Sequence, residues 1–341
     1  HYGNNTQGLI DRNMIIDVPI ADEIIKVKVW QKKIKDSVDL FLLDSNIPQN
    51  DEDNKSITSQ LYDYDFYTEI KQQIILGIGG VRLLKSLNIE PSVYHLNEGH
   101  TAFAALAIIA ENNEYRDKIV ATKHTIFSNA GNLIYKHDFS KYIEPYCNLF
   151  NLDPLKIFEM GKFELDANMF STTKFLINSS RIKNGVSFLH TVYEKKVHPH
   201  STLISITNGV YKKRWQAPEW ELFPQSLSDE EFWKIKNLLR GKLVSFVADK
   251  TGEILDPNVC TVVWSRRFAA YKRPFMLFSD LDRLERIVSR KDTPIQFVIS
   301  GKAHIADKLG HETIEKIVDL TKTPRFKGKI VYIPDYSIIV A

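Results

Sequence analysis

The second half of this 341-residue chain alternates short apolar runs with segments of helical periodicity, and few folds satisfy that order. Ser228-Asp229-Glu230-Glu231 has the form of a capping box, and Phe232, Ile235, Leu238, Leu239, Leu243 and Phe246 follow it at helical spacing. Next come an apolar run at 261–264 and an amphipathic segment carrying Phe275, Leu277, Leu281, Leu284 and Ile287. A buried strand at 295–299, a helix through 314–320 and a strand at 330–333 complete the pattern. The order β-α-β-α-β predicts a parallel, doubly wound sheet. The first half alternates less cleanly. Strands are expected at 27–30, 40–43, 93–96 and 118–122, with helices at 69–87 and 101–111. The simplest parse is two α/β units, residues 1–205 and 206–341, with ligands beyond the carboxyl ends of the strands.

Composition narrows the function classes. Hydrophobic residues make up 43% and charged residues 26%, the balance of a soluble globular chain. Lys plus Arg number 45 against 42 acids, and a net charge of +3 argues against a dedicated nucleic-acid binder. Any anion site is therefore local. The longest apolar run, 102–110, is about half of what a membrane span needs, so no membrane partner is expected. The two cysteines, Cys147 and Cys260, lack metal-ligand spacing and read as buried thiols of a reducing, cytoplasmic compartment. The chain opens at His1 and closes on an apolar segment, so both ends read as cuts through a longer protein.

The densest chemistry lies in Trp264-Ser265-Arg266-Arg267-Phe268-Ala269-Ala270-Tyr271-Lys272-Arg273, a cationic turn read as joining a strand to a helix. Such a turn suits phosphate. Solvated surface is the plainer alternative, because a helix N-terminus disfavours cations. His95-Leu96-Asn97-Glu98-Gly99-His100 offers imidazoles, an amide and a carboxylate at a strand-to-helix junction, an array fit for sugar hydroxyls, although Asn97 or Glu98 equally serves as a helix cap. A metal reading for His95 and His100 lacks a third ligand nearby. His124, in Thr122-Lys123-His124-Thr125, places another imidazole at a strand end. Asn208-Gly209 reads as a turn. Gly77-Ile78-Gly79-Gly80 follows a helix rather than a strand, which favours close packing over dinucleotide binding. Asp63-Tyr64-Asp65, His198-Pro199-His200 and the polar stretch 46–59 read as solvated loops, and Lys212-Lys213-Arg214 as a minor contributor to an anionic cleft.

In order along the chain, these strings resemble the α-glucan phosphorylases, the glycogen and maltodextrin phosphorylase family, in its shorter prokaryotic branch. The matching segments are 71–82, 95–103, Asn184-Gly185-Val186-Ser187 with His190, 206–210 with Trp215, 266–273, and Gly301-Lys302-Ala303-His304. The resemblance implies a GT-B fold, two Rossmann-like lobes with the active site in the cleft, the C-terminal lobe here being incomplete. It implies phosphorolysis of non-reducing-end glucose from an α-1,4-glucan or maltodextrin to glucose 1-phosphate, with pyridoxal phosphate acting through its phosphate group, in a homodimer.

Carried over by similarity, Arg267 binds the substrate phosphate, and Arg266, Lys272 and Tyr336 lie at the cofactor. Residue 266 is an arginine in the short branch and a lysine in the animal enzymes. His100 bonds the transferred glucose, with Asn208 on the same sugar and His124 on the acceptor side, and Asn97 is a further substrate-binding residue. The family's Gly-rich loop belongs upstream of His1 and its Schiff-base lysine downstream of Ala341, so this chain alone is expected not to hold cofactor covalently and to be inactive. The stretch Ile126-Phe127-Ser128-Asn129-Ala130-Gly131 departs from the family's proline-containing turn. Two other readings stay open: a nucleotide-sugar GT-B transferase of the glycogen synthase kind, and a non-catalytic glucan-binding remnant.

Overall fold

The structure, a computed structural model, describes residues 8–35, 37–61, 65–126, 131–220, 227–305, 307–337 and 340. The chain divides into two compact units, His1–Val210 and Tyr211–Ala341.

The first unit opens with an antiparallel sheet of β1 (Ile10–Ile20), β2 (Glu23–Lys35) and β3 (Val38–Asp44) in that order. Ile25, Val27 and Val29 of β2 alternate with charged residues, so one face is buried. The stretch 46–59, expected as featureless surface, contains the short helix α1 (Glu52–Ser56) and four buried residues: Ile47, Asn50, Asn54 and Ile57. Asn50 accepts from the Lys26 amide at 3.0 Å and donates to the Lys26 carbonyl at 2.7 Å, completing the backbone of β2 as a neighbouring strand would. The expected helix at 69–87 is a continuous run of α2 (Phe66–Ile74), a π-turn (Ile75–Gly79) and α3 (Gly80–Ser86). Gly77 lies in the π-turn against the backbone of Phe103 and Ala104, where a β-carbon has no room. Close packing, expected of the glycine cluster, thus holds at Gly77 and more loosely at Gly79 beside Val18, whereas Gly80 faces open space.

Strand β4 (Tyr94–Asn97) leads through a 3-10 turn (Gly99–Thr101) into α4 (Ala102–Glu111), whose residues from Ala102 to Ile109 are all buried. A second 3-10 segment (Asn113–Lys118) precedes β5 (Ile119–Lys123). An antiparallel pair, β6 (Leu133–Tyr135) and β7 (Met169–Ser171), brackets α5 (Lys136–Tyr142), α6 (Glu144–Leu149) and α7 (Pro154–Gly161). Helix α8 (Thr172–Ser179), β8 (Ile182–Gly185), α9 (Phe188–Val197) and β9 (Ile204–Ser205) complete the unit. Its second sheet is parallel, in the order β4-β5-β8-β9.

The second unit begins with α10 (Lys212–Trp215), a 3-10 turn (Pro218–Trp220) and α11 (Asp229–Thr251). The capping box on α11 forms as its sequence predicts, with Ser228 and Glu231 exchanging bonds, and the helix stops at Gly252 with φ 75°. Strands β10 (Cys260–Ser265), β11 (Ile295–Ser300) and β12 (Ile330–Ile333) pair in parallel in sequence order, with α12 (Leu281–Val288) and α13 (Lys308–Lys322) as crossovers. Phe268, Phe278, Leu284, Ile299, Ile317 and Phe326 form its core.

Two further expectations are corrected. The cationic turn does not start a helix: β10 is followed by 3-10 turns at Ala270–Lys272 and Met276–Phe278, with Arg273 left-handed at φ 53° between them, and α12 begins only at Leu281. Pro274 and the positive φ stop helical propagation. Cys260 is exposed at the edge of the sheet, and only Cys147 is buried. Asp63 and Tyr64, and 127–130 of the departing turn, lie outside the described residues.

Candidate functional site

In the first unit, three residues singled out from sequence meet at the carboxyl ends of adjacent parallel strands. Asn97 ends β4 and His124 follows β5, and the His124 Nε2 donates to Asn97 Oδ1 at 2.8 Å. Between them stands Glu98, with φ 68°, whose amide donates to the Thr122 carbonyl at 2.9 Å. That strained turn lets its carboxylate accept from both the Gly99 and His124 amides. Glu98 is therefore a cap and also a tie between the β4 and β5 ends. The asparagine and the imidazole are both exposed.

His100 sits in the 3-10 turn after β4, with Nδ1 3.4 Å from Gln73 Nε2. It borders an apolar cavity of about 890 Å³ that also touches Leu76, Tyr94 and Ala104. His95 turns instead toward β5, its Nε2 2.7 Å from Thr122 Oγ1, which donates to Asn184 Oδ1 at 2.9 Å. Among the described residues no cluster of three metal-ligating side chains exists. Asn208 is exposed, and its amide donates to the Val186 carbonyl at 3.1 Å, which sets the Asn208-Gly209 turn beside the end of β8.

Behind these ends lies a polar layer in which Lys123 and His190, quoted above only as parts of longer strings, meet Glu194, which the sequence did not flag. Lys123, the last residue of β5, donates to both carboxylate oxygens of Glu194 on α9 at 2.8 and 2.9 Å, with the two side chains 7% and 4% exposed. One turn earlier on α9, His190 stacks on Gly185, and neither of its ring nitrogens has a partner among the described residues. Burial holds the His190 pKa below the ordinary histidine value. The Glu194 carboxylate opposes that shift and the Lys123 ammonium adds to it.

In the second unit the loop after β10 is fastened to the end of β11. The Arg266 amide donates to the Ser300 carbonyl at 3.1 Å and the Phe268 amide to the Lys302 carbonyl at 2.9 Å. Arg266 and Arg267 are exposed, and among the described residues their guanidinium groups have no hydrogen-bond or ion-pair partner. Lys272 lies 4.6 Å over the Tyr271 ring. Beyond β12, Asp335 organises the neighbouring loop: its carboxylate pairs with Lys302 at 3.0 Å and accepts the Tyr336 amide at 2.7 Å, while its carbonyl accepts from Ser300 Oγ at 2.6 Å. The hydrogen bond from Lys302 lowers the Asp335 pKa. Tyr332 donates to the Gly301 carbonyl at 2.7 Å, and burial pushes its phenol up to about 12. Arg266, Arg267, Lys272 and Tyr336 thus all follow the carboxyl ends of β10 and β12.

No family model matches the chain. The maltodextrin phosphorylase of Thermococcus litoralis is 30% identical to it over 95% of the chain and 45% of the relative. The glycogen phosphorylase of Aquifex aeolicus is 28% identical over 95% of the chain and 55% of the relative, and that of Mycobacterium tuberculosis 27% identical over 96% and 46%. The chain therefore spans about half the length of the curated relatives it matches. Among solved structures, the catalytic domain of starch synthase IV from Arabidopsis thaliana, bound to ADP and acarbose, matches with a TM-score of 0.68 over 96% of this chain and 64% of that one. Their identity is 14%, so this likeness concerns the fold alone. The chain is a homologue of the proteins named maltodextrin and glycogen phosphorylase, and its fold is of the GT-B type.

Proposed function

We propose that this chain carries the glucan-facing and phosphate-facing residues of a cytoplasmic, homodimeric α-glucan phosphorylase, which releases glucose 1-phosphate from the non-reducing end of an α-1,4-glucan. The observation that carries the reading is the pair of exposed guanidinium groups of Arg266 and Arg267, without a partner among the described residues, on a loop whose backbone is fixed to β11. Held cations without an internal anion are complementary to an incoming one. Arg267 binds the attacking phosphate. Asn97, His100 and Asn208 hold the transferred glucose through hydroxyl groups, and His124 faces the acceptor chain.

The cations and the hydroxyl that follow β10 and β12 have the chemistry to hold pyridoxal phosphate. Arg266, Lys272 and Tyr336 would hold its phosphate, and the group when bound supplies an acidic phosphate beside the substrate phosphate. Two phosphates approach each other only where fixed cations offset their repulsion, which is the task of Arg266, Arg267 and Lys272.

The test uses the complete reading frame that encodes this chain. The purified product is incubated with maltodextrin and inorganic phosphate, glucose 1-phosphate is measured, and bound cofactor is read from its absorbance. Formation of glucose 1-phosphate by a cofactor-loaded protein is expected. Glucan elongation from a nucleotide sugar, without phosphorolysis, would replace the reading with a synthase. Maltodextrin binding without either reaction would replace it with a non-catalytic glucan binder.

A further inference from the structure

We propose that helix α9 sets the saccharide site, with Lys123, Glu194 and His190 acting as positioning residues for His124 and Asn208. The inference rests on the glucan reading of these strand ends and adds to it residues that touch no sugar. Lys123 immediately precedes His124, and its side chain is clamped by both carboxylate oxygens of Glu194. One turn away on α9, the His190 ring occupies the space where residue 185 would carry a β-carbon, its Cε1 only 3.1 Å from that position. The backbone held there carries the other sugar residue: the Gly185 carbonyl accepts the Ile206 amide at 3.0 Å and the Val186 carbonyl accepts the Asn208 amide at 3.1 Å. One helix thus fixes the end of β5 through an ion pair and the end of β8 through a stacked ring.

Stability alone gives this arrangement no purpose. A buried ion pair is often replaced by packed apolar side chains without loss, and an imidazole whose buried nitrogens lack partners among the described residues carries a desolvation cost. What the ion pair supplies is direction. Two charge-assisted hydrogen bonds from one ammonium to both Glu194 oxygens hold the last residue of β5 in a way that an apolar contact does not. The outward face of α9 matches this division, since Phe188, Leu189, Tyr193 and Val197 are exposed while Thr191 and Glu194 are buried.

The experiment measures maltoheptaose and phosphate kinetics, maltoheptaose binding by calorimetry, and thermal stability on the full-length protein. The variants are Lys123→Arg, Glu194→Gln and the double replacement Lys123→Met with Glu194→Leu. The double variant is expected to fold, to raise the glucan KM on the order of tenfold, and to leave the phosphate KM within about twofold of wild type. Lys123→Arg keeps the opposite charges together and is expected to raise the glucan KM less than the double variant does. A folded double variant with unchanged glucan KM and binding overturns the inference and leaves the phosphorylase reading standing. Equal losses for glucan and phosphate also overturn it, because they mark a general structural role. If the double variant does not fold, Glu194→Gln decides by the same comparison. A wild-type protein that neither binds maltoheptaose nor phosphorolyses it overturns both.

Discussion

Gly301 lies so near Arg266 that a β-carbon on it would collide with the Arg266 carbonyl oxygen and stand 2.7 Å from the Phe268 ring. Ladder bonds on either side, Arg266 to Ser300 and Phe268 to Lys302, leave the loop no freedom to retreat. Gly301→Ala is therefore expected to cost about 1–3 kcal/mol in denaturant unfolding, through overpacking. It should also raise the phosphate KM, because the displaced backbone carries Arg266 and Arg267. Gly241→Ala is the contrast: this helical glycine of α11 has nothing within 4 Å of an added β-carbon, and the change should stabilise by up to about 1 kcal/mol. Wild-type stability and phosphate affinity in Gly301→Ala would show that the loop does yield.

The parallel strands of the second unit were legible because buried parallel strands are written as near-continuous apolar runs, as in Ile330–Ile333 and, but for Gln296, in 295–299. Strand β1 escaped for the opposite reason. Its alternation begins only at Ile16, after an irregularity between Asp11 and Ile15 at which Asn13 takes φ 48°, and Pro19 argues against a strand in any but an edge position. The cationic turn was found but assigned to a helix start, since no pattern announces that Arg273 adopts a left-handed conformation. The layer of Lys123, His190 and Glu194 was invisible to hydrophobic periodicity because the buried face of α9 is polar. A lysine and a glutamate far apart in sequence carry no sign that they pair out of water.

The His190 ring should titrate below about 6.5, the ordinary histidine value, in an NMR pH series on the native protein. Burial depresses the folded-state pKa, so the protonated ring is disfavoured in the native state relative to the unfolded chain. The stabilising contribution of the neutral ring is complete above the unfolded value and is lost as pH falls through the depressed one. Because the Glu194 carboxylate pulls the value upward, Glu194→Gln should move the midpoint lower still. A midpoint at or above the unfolded value would mean that the ring is solvated or has found an anionic partner.

The two thiols should separate cleanly with a thiol reagent. Cys260 is exposed and should react in the native protein, whereas burial pushes the Cys147 thiol up to about 12, so little thiolate forms near neutrality. One fast equivalent is expected under native conditions, and a second on unfolding. Fast labelling of both would contradict the packing of Cys147 within the core of the first unit.

Arg267 gives the sharpest test of the phosphate assignment, and the choice of replacement matters. Removing a guanidinium aimed at developing charge is expected to cost several kcal/mol of transition-state stabilisation, or on the order of 100-fold or more in phosphorolysis by Arg267→Ala. Arg267→Lys keeps the charge but loses the planar fork that grips two phosphate oxygens, so it should recover only part of the loss. Because Arg267 is exposed and has no partner among the described residues, neither variant should change unfolding stability by more than about 0.5 kcal/mol. A catalytic loss without a stability loss would locate the arginine on the phosphate, whereas near-normal turnover by Arg267→Ala would refute the assignment and leave Arg266 and Lys272 as the remaining candidates on that loop.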